Sequence, residues 1–157
     1  NKLRIVICGK GDLEAAIRSR SENDQCLVFA GWRSAAELRE LMQRSDFGIL
    51  PYPSTKDFLA SFPNKLGEFL SFGLPVMTGL GGVSGAMLKE RALDLKYETG
   101  NIASARSVLT GIAEDRFDFP EMRNRAVQAF ADLFDPEKIL PAFGDFIEQL
   151  ADIGKRP

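Results

Sequence analysis

The sequence predicts an α/β domain built on a doubly wound parallel sheet, a Rossmann-like fold. Short apolar runs, such as residues 3–8, alternate along the chain with segments of helical periodicity, as strands alternate with crossover helices in this class. The runs are nearly continuously apolar, which is typical of parallel strands covered on both faces. The chain of 157 residues is one domain's worth and long enough to bury a substantial core.

The first half of the chain predicts three strands separated by helices. Gly9-Lys10-Gly11 turns the first strand into a helix. Ser34 is the expected cap of the next helix, because Glu37 three residues later completes a capping box. In order, we expect a strand at 3–8, a helix at 12–19 with an apolar stripe of Leu13, Ala16 and Ile17, a strand at 26–30, a helix after Ser34 that buries Leu38, Leu41 and Met42, and a strand at 46–50 that ends at Pro51.

The second half predicts further alternation and a helical C-terminal region. We expect a helix at 64–72, a strand at 75–78, a short strand near 93–97, a helix at 102–113 and two helices after Pro120 and Pro136. Apolar residues at helical spacing predict the faces that the last two helices bury. These residues are Phe130, Leu133, Phe134, Ile139, Leu140, Phe143, Phe146, Ile147 and Leu150.

The segment at residues 61–82 is the most informative part of the chain. Asn64 is the expected N-cap of its helix. Lys65 and Glu68 lie one turn apart on one face of that helix. The helix N-terminus is expected at an edge of the sheet, where its dipole favours phosphate. Gly67 has no side chain, so a ligand is expected to approach the first turn closely.

Composition excludes several classes of protein. A formal net charge of −2 and a pI near 5.3 give no general attraction to nucleic acid or anionic lipid. No apolar run approaches the roughly 20 residues that a membrane span needs. The chain has no histidine, so we expect neither a zinc site nor a Ser-His-Asp triad. Cys8 and Cys26 are expected to be buried free thiols, which indicates a reducing compartment.

The residues around the 64–72 helix resemble the nucleotide-sugar site of retaining glycosyltransferases with the GT-B fold, the large family-4 type. One branch of that family carries a P-x-K-x-x-E loop, which Pro63, Lys65 and Glu68 match. Glu68 matches the second glutamate of the family's E-x7-E pair, which holds the ribose of the donor nucleotide. The first glutamate binds the donor sugar, and it falls at Ala60, where this chain departs from the pattern.

Further motifs match in the order in which the family has them, and together they cover about residues 3–113. They are Gly9 and Gly11 for a G-x-G turn, Val28, Phe29, Ala30 and Gly31 for a V-x-F-x-G strand end with one shift in position, Leu38, Asp46 and Pro51 for the next strand, and Gly81 and Gly82 for the turn after the P-V strand.

The resemblance implies a donor site without a metal or a separate cofactor. The substrate would be a nucleoside-diphosphate sugar of the UDP or GDP type. The backbone N–H groups at positions 65 and 66 would face the distal phosphate, with Lys65 as the local cation. No catalytic residue is assigned. The residues implied to bind the donor are Glu68, Lys65, Asn64, Leu66, Gly9, Gly11, Gly31, Trp32 and Arg33, of which Glu68 would hold the ribose and residues 31–33 would border the base.

Part of the family's architecture lies outside this sequence. In the family, a further strand and helix with an arginine and a lysine for the diphosphate open this domain, and an acceptor-binding domain precedes them. The first strand of a doubly wound sheet is central, so without it we expect a gap in the sheet. Residues 1–157 are therefore expected to be one domain of a larger enzyme, inactive alone, whose partner is its own N-terminal acceptor domain. The expected location is cytoplasmic, with any contact to the membrane made by the absent domain.

The residues also permit other interpretations. The chain is alternatively a non-catalytic nucleotide-binding or protein-interaction module of the same fold, which Ala60 favours. A nucleotide-sugar epimerase fits less well, because those sites use a histidine. A nicotinamide site is disfavoured, because the third glycine of its fingerprint falls at Glu14. If these residues bind no ligand, Lys65 and Glu68 are simply a surface ion pair, and Trp32 is a core or rim aromatic.

Overall fold

The computed structural model describes residues 3–153, and it confirms an α/β chain with C-terminal helices. Its elements are β1 (Ile5–Cys8), α1 (Glu14–Glu22), β2 (Leu27–Gly31), α2 (Ala35–Gln43), β3 (Gly48–Leu50), α3 (Lys56–Leu59), α4 (Asn64–Ser71), β4 (Val76–Thr78), α5 (Gly82–Glu90), β5 (Asp94–Lys96), α6 (Ile102–Ala113), α7 (Phe119–Leu133) and α8 (Pro136–Ile153).

The strands pair in parallel and form two sheets. β1 pairs with β2, with Ile5 opposite Leu27. β4 lies between β3 and β5, with Val76 opposite both Gly48 and Asp94. Among residues 3–153, β1 and β3 do not pair with each other. The strands of the predicted doubly wound fold are therefore divided between two sheets.

The core covers both faces of the β3–β4–β5 sheet. Val76 belongs to one apolar cluster and its neighbour Met77 to the other, because successive side chains of a strand point to opposite faces. The first cluster is completely buried at Leu66, Leu70, Val76, Leu88, Leu93, Ala126 and Ala129. Burial of each such leucine stabilises the folded state by about 2 kcal/mol relative to an exposed leucine. The β3–β4–β5 sheet and the helices packed on it therefore contain most of the apolar stabilisation.

The β1–β2 unit is less well covered. All four residues of β1 are half-buried, and neither α1 nor α2 has a buried residue. The guanidinium of Arg18 lies 5.0 Å from the ring centre of Phe29. Leu13 precedes α1 and is 69 % exposed, so its predicted place in a buried stripe is wrong. The predicted capping box of Ser34 and Glu37 is confirmed.

Helix α4 begins at residue 64, as predicted, but its N-cap is not the expected one. Asn64 is its first helical residue, and Pro63 occupies the N-cap position with φ −63° and no side-chain cap. The predicted N-cap at Asn64 is therefore wrong. Proline fixes φ near the value it needs there, so the entry to the helix is set by the backbone of Pro63 and not by an asparagine oxygen.

Helix α5 was not predicted, because Gly81 and Gly82 suggested only a turn. The helix forms because its inner face buries Met87 and Leu88. No helix among residues 3–153 is both long and apolar enough to cross a membrane.

Helix α8 forms as predicted, but its apolar face is exposed. Residues 136–151 are all exposed, and the six predicted core residues in α8 are between 42 % and 67 % exposed. The prediction that they are buried is wrong, because periodicity identifies an amphipathic helix but not the surface that covers it. The other predicted residues do pack against the core: Phe130 and Leu133 in α7, and Phe134 at its C-cap.

Candidate functional site

The predicted donor residues lie at the carboxyl ends of the parallel strands. In open α/β sheets this is the edge at which ligands bind. Gly9 and Gly11 follow β1, and residues 31–33 end and follow β2. Helix α4 lies between β3 and β4, so its first residue, Asn64, is at the carboxyl edge of the other sheet.

The turns after β1 and β2 are joined to each other. The Gly9 N–H donates to the Gly31 carbonyl oxygen at 2.9 Å. Gly31 has φ +70°, a left-handed conformation that glycine adopts at little cost. A Cβ atom added at Gly9, Gly11 or Gly31 would meet no described atom within 4 Å. The three glycines therefore border open space.

Trp32 and Arg33 extend this open surface. The Trp32 side chain is 64 % exposed, so it is not a core aromatic. Arg33 Nη1 lies 3.2 Å from Glu37 Oε1. Hydrogen bonds from the backbone N–H and then the hydroxyl of Ser34, together with Arg33, lower the pKa of the Glu37 carboxyl. The Arg33 cation is thus held beside a carboxylate that stays ionised.

Cys8 ends β1 near the same charges. Burial raises the pKa of its thiol, and the nearby Arg33 only partly opposes this effect. Both Cys8 and Cys26 are free, as predicted, but they are half-buried and not fully buried as expected. Because a thiol is a much weaker nucleophile than a thiolate, Cys8 is not activated for covalent chemistry.

The Lys65–Glu68 pair lies on the solvent face of α4. Lys65 Nζ is 2.5 Å from Glu68 Oε2, and each side chain is 44 % exposed. An exposed pair at this spacing contributes a few tenths of a kcal/mol to the helix. Both groups are therefore available to a ligand, each at present neutralised by the other.

The other face of the first turn of α4 is closed. Leu66 is completely buried, and its N–H donates to the Pro63 carbonyl at 2.8 Å. A Cβ atom at Gly67 would lie 3.3 Å from the ring of Phe134. The predicted close approach of a ligand at Gly67 is wrong, because Phe134, the C-cap residue of α7, occupies that space. The N–H of Leu66 is likewise already used within the protein.

The Gly81-Gly82 turn after β4 is occupied by a neighbouring segment. A Cβ atom at Gly82, which has φ +61°, would lie 1.9 Å from the Leu59 carbonyl oxygen. The buried Ser84 hydroxyl donates to the Ser61 carbonyl at 2.7 Å. These two contacts flank Ala60, which is exposed and follows α3. Gly82 is therefore required by the packing of the α3 segment.

Three polar residues that the sequence analysis did not place in the site meet at one carbonyl. Ser54 Oγ, Lys96 Nζ and Thr99 Oγ1 all lie within hydrogen-bonding distance of the Gly79 oxygen. Lys96 is the exposed, charged last residue of β5 and follows the buried Leu95. A lysine at the carboxyl end of a predicted strand was the signal in the sequence that could have identified it. The described residues contain no group of three or more acidic, cysteine or histidine side chains arranged for a metal ion.

The structure thus forms two groups from the predicted site residues. One contains Gly9, Gly11 and residues 31–33, and the other contains Asn64, Lys65 and Glu68. No hydrogen bond or ion pair joins the two groups among the residues that the structure describes.

Open glycine turns and an exposed Lys–Glu pair at the strand ends of an α/β protein are compatible with an enzyme that uses nucleotides. Comparison with protein families identifies the class as glycosyltransferase. The model of the family described as "Glycosyl transferases group 1" matches residues 1–110, well over half of the chain, and the chain belongs to this family. A search of curated proteins found no match. The matched range includes both sheets, α4 and every predicted donor residue, and glycosyl transfer is confirmed as the general activity of the family.

Proposed function

We propose that this chain is the donor-binding domain of a retaining, metal-independent glycosyltransferase of the GT-B fold. It would bind a nucleoside-diphosphate sugar, of the UDP or GDP type, while another part of the polypeptide holds the acceptor. The observation that carries the proposal is the exposed Lys65–Glu68 pair at the start of α4, in a chain of the group 1 glycosyltransferase family.

The chemistry of the leaving group explains why such a pair is useful. Glycosyl transfer from this donor releases a nucleoside diphosphate, so negative charge develops on the distal phosphate. A preorganised cation and the N-terminal dipole of α4 stabilise that charge in the transition state. Lys65 lies in the first turn of the helix, so its ammonium adds to the dipole.

Glu68 would contribute recognition of the ribose. A carboxylate accepts hydrogen bonds from two adjacent hydroxyls. Donor binding would then separate the pair that the structure shows, with Lys65 turning to phosphate and Glu68 to the sugar hydroxyls. The open turn at Gly31 and the exposed Trp32 would border the base, because aromatic rings stack on nucleobases.

The interrupted sheet supports a further part of the proposal. β1 and β3 each pair on one side with a described strand and do not pair with each other. A parallel strand from elsewhere in the same polypeptide would join the two sheets into one. We accordingly propose that residues 1–157 act as part of a two-domain enzyme, cytoplasmic or at the inner face of the membrane.

A second candidate function is a non-catalytic module of the same fold. The observation in its favour is Ala60, an exposed alanine where the resemblance expects the acid that binds the donor sugar. As a protein-interaction module, the chain would keep the fold but would bind none of the nucleotides UDP, GDP and ADP.

Calorimetric titration separates the two functions. The complete natural polypeptide containing this chain is titrated with UDP, GDP and ADP, each with and without a chelator. The donor domain of an enzyme should prefer one base at micromolar to millimolar levels, with the same affinity when chelator is present. Absence of binding by all three nucleotides would overturn the proposed function and favour the module.

A further inference from the structure

We propose that Lys96 and Thr99 form a clamp that positions the loop at residues 79–82 for donor binding. The clamp is defined as the hydrogen bonds of these two side chains to the carbonyl oxygens of Gly79 and Leu80. Both residues act through the loop, so they are positioning residues. The inference rests on the proposed function, since it assumes that the loop after β4 borders a nucleoside-diphosphate sugar.

The clamp concentrates donors on two neighbouring carbonyls. Thr99 Oγ1 donates to the Gly79 oxygen at 2.9 Å. Lys96 Nζ lies 3.3 Å from the same oxygen and 2.5 Å from the oxygen of Leu80. Ser54 Oγ is a third donor to Gly79, at 3.3 Å. A carbonyl oxygen has two lone pairs, so the Gly79 oxygen is fully engaged.

Two glycines make room for these contacts. A Cβ atom at Gly79 would lie 2.4 Å from Thr99 Oγ1, and a Cβ atom at Gly85 would lie 2.4 Å from the Leu80 oxygen. Neither glycine has a positive φ. The absence of a side chain at these positions therefore serves the close approach of clamp and loop, and not an unusual backbone conformation.

The clamp determines which way the loop's N–H groups point. In a planar trans peptide the carbonyl and the following N–H point in opposite directions. Since the Gly79 oxygen faces Thr99 and Lys96, the Leu80 N–H points away from them, and it donates to Thr78 Oγ1 at 3.0 Å. By the same geometry, the Gly81 N–H points away from Lys96.

The Leu80 N–H is already bonded within the protein, so the clamp would act on a charged ligand through the orientation of the Gly81 N–H. Donors that are oriented before the ligand binds stabilise negative charge without reorganising at the moment of reaction. The loop follows β4, at the same carboxyl edge of the sheet as the start of α4. The geometry thus connects Lys96, on the exposed end of β5, to the edge where we place the donor.

The test compares variants of the complete natural polypeptide by two measurements. The variants are Lys96→Met and Lys96→Arg, with Lys89→Met as a matched control on the exposed last turn of α5. The first measurement is amide hydrogen exchange at residues 80–83. The second is the KM for the donor and kcat, with the donor that calorimetry identifies.

We expect Lys96→Met to speed exchange at residues 80–83 and to raise the donor KM about tenfold with kcat unchanged, because misplaced binding groups cost affinity. Lys96→Arg should restore much of both, since it keeps a cationic donor. Thr99→Val should act in the same direction as Lys96→Met, and Thr99→Ser should behave as wild type. Lys89→Met should change neither measurement.

Each other outcome overturns a distinct statement. Unchanged exchange in Lys96→Met would overturn the clamp itself. Faster exchange with an unchanged KM would leave Lys96 a purely structural residue and overturn its role in donor binding. If the wild-type protein binds no nucleotide, the proposed function fails and the link to the donor fails with it, while exchange still decides whether the clamp exists.

Discussion

Gly67 of α4 lies directly against the ring of Phe134, the C-cap residue of α7, and a Cβ atom added at Gly67 would lie 3.3 Å from that ring. This contact and the burial of Leu66 and Leu70 fix which face of α4 is turned inward. Lys65 and Glu68 are consequently left on the outer face. The packing of α7 therefore presents the charged pair to solvent and, in the proposed function, to the donor.

Truncation of Glu68 tests its assigned role. We expect Glu68→Ala to weaken donor binding by about 2–3 kcal/mol, the usual scale for hydrogen bonds to a charged group. Isothermal titration of the complete polypeptide with the nucleoside diphosphate measures this change. The matched control is Glu40→Ala, which removes an exposed helical carboxylate that lies 4.0 Å from Arg44. Equal affinity of the two variants would remove Glu68 from the site.

Trp32 is the only tryptophan of the chain, and it is exposed. If it stacks on the base, a nucleoside diphosphate should change its fluorescence, whereas pyrophosphate alone should not. Trp32→Ala should then weaken nucleotide binding by about 1–3 kcal/mol, the scale of base–aromatic stacking. Where other parts of the polypeptide contain tryptophan, a Trp32→Phe variant identifies the signal that belongs to this residue. A fluorescence change that persists in Trp32→Phe would contradict the assignment.

Gly31 and Gly82 share a left-handed backbone but differ in their surroundings. Gly31 has φ +70° and open space around its Cα, whereas a Cβ atom at Gly82, with φ +61°, would lie 1.9 Å from the Leu59 oxygen. We expect Gly31→Ala to lower the free energy of unfolding by about 1–2 kcal/mol, the cost of the left-handed conformation alone. Gly82→Ala should cost clearly more, because the α3 segment must also move.

Thermal unfolding of the two variants, followed by circular dichroism, measures this difference. The pair provides its own control, since only the steric contact separates them. Equal losses of stability would show that Leu59 yields easily and that the contact at Gly82 does not hold the α3 segment in place.

The sequence predicted the helices and strands with strong local signals. The capping box of Ser34 and Glu37 was recognisable because both partners lie within four residues of each other. Helix α6 was found with its correct bounds, because Val108, Leu109 and Ile112 lie at helical spacing. Signals of this kind depend on neighbours along the chain, which the sequence shows directly.

Features that depend on distant contacts were not predictable in the same way. Gly67 appeared open to a ligand because Phe134, which covers it, is 67 residues further along the chain. Gly81 and Gly82 suggested only a turn because the Leu59 carbonyl oxygen that approaches Gly82 becomes close only in the fold. The positions of Lys65 and Glu68 on one exposed face were predictable, since helical spacing alone decides them.

The pKa of Glu37 predicts how the start of α2 responds to acid. Hydrogen bonds from Ser34 lower this pKa from its ordinary value of 4.5, so the folded state favours the ionised carboxylate. The resulting stabilisation of the folded state is present above pH 4.5. It is lost as the pH falls through the lower pKa that Glu37 has in the folded state. Glu37→Gln cannot ionise, so its stability deficit relative to wild type should be largest at neutral pH and shrink below pH 4.5.

Denaturant unfolding of both proteins between neutral and acid pH measures this deficit. Asp132→Asn is the matched comparison, because hydrogen bonds from Arg91 and Gln128 lower the pKa of Asp132 from 3.8. Its deficit should shrink at a lower pH than that of Glu37→Gln, and the two effects should add, since the sites share no partner. A deficit of Glu37→Gln that stays constant down to strongly acid pH would show that the Ser34 hydrogen bonds do not depend on the charge of Glu37.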